Sequence, residues 1–219
     1  MESSSSNEYS MHLPDVASSP AAVTSLQAIA GVMLLGVRVT AYAVINVAEH
    51  RRREAAGMGA VLQPALLDRL LDQPTGVPVI DPAGWTEMAG QAPGILERDS
   101  DGVSVTRRLE SPLSIADVVV QTAAGRELRA VQDASLFAGF TRRWMAAACT
   151  RVPDAAMLEA KVCGVGILDP GHRVLLAGEK PVALTRDGWS WLLEEKVYRR
   201  WLGGRPGVRA EVQPLAEPA

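Results

Sequence analysis

A small group of acidic and basic residues in the second half of the chain could support metal-dependent chemistry. Asp154 follows Pro153, and Glu159-Ala160-Lys161 comes five residues later, at the start of an apolar run predicted to be a strand. Alternate residues of a strand share one side, so Glu159 and Lys161 would lie together, as a metal-dependent nuclease requires. Asp154 is too close to Glu159 for the usual hairpin between two metal ligands, and Asp117 is an alternative ligand farther upstream. The competing interpretation is a surface ion pair.

Other reactive residue types form no recognisable set. Gly164-Val165-Gly166 lacks the third glycine and the following helix of a phosphate loop, and is interpreted as close packing or a bulge within a strand. The three histidines are scattered, and His172 with Asp169 is expected in a solvated turn. Cys149 and Cys163 are expected to be buried free thiols. We therefore predict no cofactor, no metal site and no catalytic residues, and the chain is interpreted as non-enzymatic.

Two arginine pairs are candidate nucleic-acid contacts. Arg142-Arg143 and Arg199-Arg200 each precede a tryptophan, and a hairpin followed by a basic helix is compatible with a winged DNA-binding module. The formal net charge of -3 opposes binding that depends mainly on phosphates. Nucleic acid is therefore an alternative partner and not the leading one.

The N-terminal part changes abruptly in composition. Residues 1–19 are Ser-rich, contain no Lys or Arg and are predicted to be a disordered leader. Ser19 and Pro20 suit a helix start, and residues 20–57 are predicted to form one long apolar helix ending at Gly57. Residues 26–48 have the length of a bilayer span, and the run Arg51-Arg52-Arg53 would keep the following domain in the cytoplasm.

Polar residues within this segment recur at helical spacing. They are expected to form one narrow stripe that associates with sister helices, made of Gln27, Gly31, Arg38, Tyr42 and Asn46. An arginine near the centre of a span is unfavourable by about 2.5–3.5 kcal/mol. Self-association through residues 21–56, as a soluble or oligomeric helix, is therefore an alternative to the membrane anchor. In that case the protein would be soluble and cytoplasmic.

The remaining chain predicts an α+β domain with a small antiparallel sheet packed with two to three helices. Residues 58–95 are assigned a short helix at 61–71 and a Pro/Gly-rich linker with a brief strand at 77–80. Residues 96–204 form the domain, and residues 205–219 an extended tail. Within the domain we expect strands near 103–105, 115–120 and 127–131, helices at 133–150 and 185–202, and a hairpin joining 157–168 to 174–177.

These patterns favour a non-enzymatic accessory protein. It would be membrane-associated or oligomeric through residues 20–57, and its α+β domain would bind a protein partner. A DNA-binding regulator and a metal-dependent nuclease are the alternatives.

Overall fold

The computed structural model describes residues 25–80, 84–85, 94–100, 102–181 and 186–204. These residues form an α+β fold with five helices and nine strands. In chain order the elements are β1 (Leu26–Leu34), β2 (Val37–Ile45), α1 (Val47–Ala55), α2 (Pro64–Leu71), β3 (Pro78–Ile80), β4 (Leu96–Arg98), β5 (Ser104–Arg107), β6 (Leu113–Gln121), α3 (Glu127–Ser135), β7 (Arg142–Ala146), α4 (Asp154–Cys163), β8 (Gly166–Leu168), β9 (Val174–Leu176) and α5 (Gly188–Gly203). The leader 1–19 and the tail 205–219 lie outside the described residues.

The long apolar helix predicted for residues 20–57 is wrong for the part that the structure describes. Residues 26–45 form strands β1 and β2, and helix begins only at Val47. Leu35 and Gly36 make the turn between the strands, with φ values of 48° and 80°, as two-residue hairpin turns require. Every second residue of β2 from Val39 to Ile45 is buried, which is the burial period of a strand. Among the described residues, no helix combines the length and the apolar character needed to cross a membrane.

Strand β1 contains a local irregularity at Gly31. Ile29 is buried, but the next buried residues are Val32 and Leu34, so the alternation shifts by one position. Gly31 has a φ of 71°, which glycine adopts without steric cost. This combination is typical of a β-bulge.

The described chain forms two compact units, each with its own core. The helical unit takes in residues 25–36, 40–116 and 186–204, and the sheet unit takes in 37–39 and 117–181. In the helical unit, α2 packs on α5, and α5 also contacts β1. A three-stranded antiparallel sheet of order β3-β5-β4 belongs to this unit. Its core includes Leu67, Leu70, Val105, Leu109 and Trp191.

The start of α5 is defined by local interactions in the helical unit. Asp187 is the N-cap, and its side chain accepts the N–H of Ser190, while the Ser190 hydroxyl accepts the N–H of Asp187. A Cβ on Gly188 would lie 2.6 Å from the Pro64 carbonyl oxygen, so glycine allows α5 to approach α2 closely. The last predicted helix is confirmed, with its described start at Gly188 and its end at Gly203.

The sheet unit contains parallel strands, and the predicted antiparallel meander is wrong there. The order is β6-β7-β8-β9; β6, β7 and β8 are parallel and β9 is antiparallel to β8. Helix α3 connects β6 to β7, and α4 connects β7 to β8, as parallel neighbours require. The predicted strand at 127–131 is therefore part of α3. The predicted helix at 133–150 ends at Ser135 and is followed by β7.

Two other predictions in this region are partly right. Residues 157–168 were expected to be one strand, but α4 extends to Cys163 and β8 begins at Gly166. Gly164 ends α4 with a left-handed φ of 63° and so acts as a helix cap rather than a bulge within a strand. The hairpin of β8 and β9 is confirmed, and the Asp169 carboxylate accepts the backbone N–H groups of Gly171 and Arg173 in its turn.

Candidate anion-binding site

Three basic side chains lie on one face of α5. Lys196, Arg199 and Arg200 are three and four residues apart, a spacing that makes side chains neighbours on a helix surface. The opposite face contains the buried residues Trp191 and Tyr198, and Trp191 is packed in the core of the helical unit. Lys196 is half-buried, and Arg199 and Arg200 are exposed. The helix therefore directs these three cations away from the core.

The cations line a pocket between α5 and β1. The pocket has a volume of about 280 Å³ and is lined by Gly31, Val32, Met33, Lys196, Arg199, Arg200 and Gly203. We call it the basic pocket. The Arg200 Nε donates a hydrogen bond to the Ala30 carbonyl oxygen at 3.1 Å, next to the bulge. A Cβ at Gly31 would lie 3.5 Å from Arg200 Nη2, so the missing side chain brings the guanidinium close to the backbone of β1.

The position of α5 against β1 is maintained by aromatic residues. Trp201 Nε1 donates to the Gln27 side-chain oxygen at 2.7 Å. The Trp201 ring packs edge-on to His50, with centroids 4.8 Å apart, and stacks on Tyr198 at 5.7 Å. The Tyr198 hydroxyl is 2.9 Å from His50 Nδ1. These contacts connect α1, β1 and α5, and they hold the wall of the basic pocket in place.

A buried ion cluster joins α1 to α5 on the core side. Arg53 and Glu195 are both fully buried, and the Arg53 Nη atoms lie 2.7 and 2.8 Å from the Glu195 oxygens. Glu49 accepts the Arg53 Nε at 2.7 Å, and Glu195 also accepts the Val61 N–H at 2.8 Å. Burial alone would lower the pKa of Arg53, but the hydrogen bonds and charges of Glu195 and Glu49 outweigh it and raise the pKa above its usual value. The cluster is a structural connection without access to a ligand.

Two acidic residues directly precede Lys196 in the chain, and the second of them, Glu195, pairs with Arg53. The first, Glu194, also has partners outside the pocket. Glu194 contacts the Ser111 hydroxyl and the Arg186 guanidinium. Burial raises the pKa of Glu194 from 4.5 to about 7, although Arg186 and Ser111 act in the opposite direction. No acidic residue lines the basic pocket, and within the described residues Lys196, Arg199 and Arg200 form no ion pair. Among the described residues, the positive charge of the pocket is therefore uncompensated.

The other predicted arginine pair has structural roles in the sheet unit. Arg142 binds both oxygens of Asp117, at 2.5 and 2.8 Å, and stacks over Trp144 with its guanidinium 5.5 Å from the ring centre. Arg143 is buried and donates to the Cys163 carbonyl oxygen at 2.5 Å. Arg142 is paired with a carboxylate and Arg143 is buried, so neither presents an exposed, uncompensated charge to a phosphate. Arg199 and Arg200 are exposed and, among the described residues, form no ion pair.

The candidate nuclease set does not have the predicted geometry. Asp154, Glu159 and Lys161 all lie on α4, where residues two apart point about 200° from each other around the axis. Glu159 Oε1 lies 3.7 Å from Cys163 Sγ, and Asp117 is engaged by Arg142. Among the described residues, no group of three or more His, Cys, Asp or Glu side chains is placed to hold a metal ion.

The predicted helix-association stripe is also wrong. Its members lie on different elements: Gln27 and Gly31 on β1, Arg38 and Tyr42 on β2, and Asn46 at the N-cap of α1. Asn46 accepts the Glu49 N–H at 3.1 Å, as an N-cap does. Gln27 and Gly31 instead help to build the basic pocket through Trp201 and Arg200.

The cysteines are less buried than expected. Cys149 is exposed and Cys163 is half-buried, and both are free thiols. Burial, with the nearby Glu159, raises the pKa of Cys163, which disfavours the reactive thiolate. Comparison with protein-family models, with curated proteins and with solved structures yields no match for this chain.

Proposed function

We propose that this protein is a non-enzymatic binding protein whose basic pocket docks an acidic, partly apolar segment of a partner protein. The observation that carries the proposal is the combination of three cations without ion pairs, among the described residues, and exposed apolar side chains beside them. Met33 lines the pocket and is 50 % exposed, and Leu35, at the turn of the same hairpin, is 40 % exposed. Large exposed apolar side chains next to charge are typical of protein-binding surfaces.

Charge complementarity defines the expected partner. Opposite charges across an interface direct association and exclude partners of the wrong sign. The carboxylates of an acidic segment pair with Lys196, Arg199 and Arg200, and an apolar side chain within that segment covers Met33. A nucleic acid would satisfy only the cations, and the net charge of -3 opposes a contact with many phosphates.

The test uses defined probes and fluorescence anisotropy. A labelled peptide in which glutamates alternate with leucines is titrated with the protein, and the same peptide with glutamine in place of glutamate is the probe control. The variant K196E/R199E/R200E should bind the acidic peptide at least tenfold more weakly. The matched control R51E/R98E/R151E reverses three exposed arginines outside the basic pocket and should bind like the original protein.

Three results would overturn the proposal. Equal losses in both triple variants would indicate a general charge effect. Absence of binding to the acidic peptide would remove the proposed partner class. Tighter and more salt-dependent binding to a single-stranded oligonucleotide, or to vesicles with anionic lipid, would assign the pocket to nucleic acid or to a membrane surface instead.

A further inference from the structure

The Arg200 guanidinium lies against the bulge of β1 and is oriented by one hydrogen bond there. Its Nε donates to the Ala30 carbonyl oxygen, and Gly31 provides the space in which the rest of the group lies against the backbone. Among the described residues, no other hydrogen bond of this guanidinium is present. Arginine has five N–H donors, so four remain for a ligand. An arginine that is already oriented loses less freedom when it binds a planar or tetrahedral oxyanion.

The pocket brings like charges next to each other. Lys196 and Arg200 are separated by four residues on α5, where equal charges repel each other. The helix dipole favours a basic residue in the last turn, but its influence declines within one turn and does not account for Lys196. Arg199, which also lines the pocket, adds a third positive charge. An anion in the pocket would relieve this repulsion.

We infer that the basic pocket binds the phosphoryl group of a phosphorylated segment of the partner protein. A phosphorylated side chain has a charge of about -1.5 to -2 and three acceptor oxygens, which match an oriented arginine fork and two further cations. A single carboxylate would leave most of this positive charge uncompensated. The pocket volume of about 280 Å³ accommodates such a group together with neighbouring side-chain atoms against Met33. This inference rests on the proposed function for the identity of the partner.

The experiment compares two peptides that differ only in phosphorylation. A labelled peptide with one serine among leucines and glutamates is titrated as the serine and phosphoserine forms. The phosphoserine form should bind at least tenfold more tightly, and millimolar inorganic phosphate should displace it. Arg200→Lys retains the charge but removes the fork and the Nε contact, so this preference should fall to about twofold or less. Arg51→Lys, on the exposed side of α1, is the matched control and should retain it.

The outcomes separate the inference from the proposed function. Equal binding of the two peptides, or an unchanged preference in Arg200→Lys, would refute the phosphoryl site. If the acidic peptide still binds the pocket in that case, the proposed function stands alone. If phosphoserine peptide and inorganic phosphate bind but the unphosphorylated acidic peptide does not, the phosphoryl site stands and the acidic-segment proposal fails. Displacement of the phosphopeptide by an oligonucleotide at equal phosphate concentration would assign the site to nucleic acid and overturn the inference.

Discussion

The buried Arg53–Glu195 pair makes a strong prediction about stability. Glu195→Gln keeps the shape of the side chain but removes the charge that compensates Arg53. Both Glu195 oxygens accept from Arg53, so the amide places an N–H₂ donor against one Nη and a neutral oxygen against the other. Both partners are fully buried, so water cannot replace the lost interaction. Removal of one member of such a pair typically lowers the free energy of unfolding by about 3–5 kcal/mol. Glu49 remains beside Arg53 and places the expected loss near the lower end of this range.

The measurement is urea denaturation followed by tryptophan fluorescence, since Trp191 lies in the core of the helical unit. With a slope of about 2 kcal/mol per M urea, a loss of about 3 kcal/mol lowers the midpoint by about 1.5 M. Glu97→Gln is the matched control, because the Arg108–Glu97 pair has side-chain exposures of 45 % and 57 %. Exposed pairs contribute about 0–1 kcal/mol, so its midpoint should change by less than about 0.5 M.

A comparison of the two variants shows whether the buried charge of Glu195 stabilises the fold. If Glu195→Gln and Glu97→Gln lower the midpoint equally, the connection between α1 and α5 does not depend on the buried charge pair. The double variant Arg53→Met with Glu195→Leu provides a second criterion, since it removes both charges. Its loss of free energy of unfolding should be smaller than the sum of the losses in Arg53→Met and Glu195→Leu, because no unpaired charge is left in the core.

Two further predictions concern pH and packing. The pKa of Glu194 is raised from 4.5 to about 7 in the folded state, so its contribution to stability is fully present below about pH 4.5 and is lost as the pH rises through about 7. Urea titrations at pH 5 and pH 7.5 should show a loss of up to about 3 kcal/mol for the original protein and little change for Glu194→Gln; equal changes in both would refute the assignment. In the sheet unit, a Cβ at Gly166 would lie 2.1 Å from a ring carbon of Trp144, so Gly166→Ala should lower the free energy of unfolding by about 1–3 kcal/mol. Gly203→Ala is its control, since no atom lies within 4 Å of its Cβ, and thermal unfolding should show at most a small stabilisation.

The error at residues 26–45 has a definable cause. Nearly every position there is apolar or small, so helical and alternating patterns both fit, and periodicity cannot decide between a helix and two strands. Short hairpin turns are usually recognised from Asn-Gly or Asp-Gly. Here a leucine at φ 48° occupies the first turn position, and the residue type conceals the turn. The β-branched residues at 115 and 118–120 favour a strand over a helix, and that strand was predicted correctly.

The candidate site was predictable only in part. Arg199 and Arg200 are visible in the sequence as a basic pair on a predicted helix, but Lys196 is not among the predicted contacts. Gly31 is distant along the chain, and no spacing rule places it beside Arg200. Arg142 seemed equivalent to Arg199, but the parallel register pairs it with Asp117. That partner lies 25 residues upstream, and it can be identified only once β6 and β7 are aligned.

The contact between Arg200 and β1 also has a consequence for self-assembly. β1 is the first strand in its sheet order, and an outer strand presents unpaired carbonyl groups to which another chain can add. Arg200 donates a hydrogen bond to the Ala30 carbonyl oxygen, and the bulge at Gly31 interrupts the regular hydrogen-bond ladder at the next residue. Both features oppose intermolecular strand addition at this border. Loss of the Arg200 side chain should therefore expose this strand to edge-to-edge aggregation.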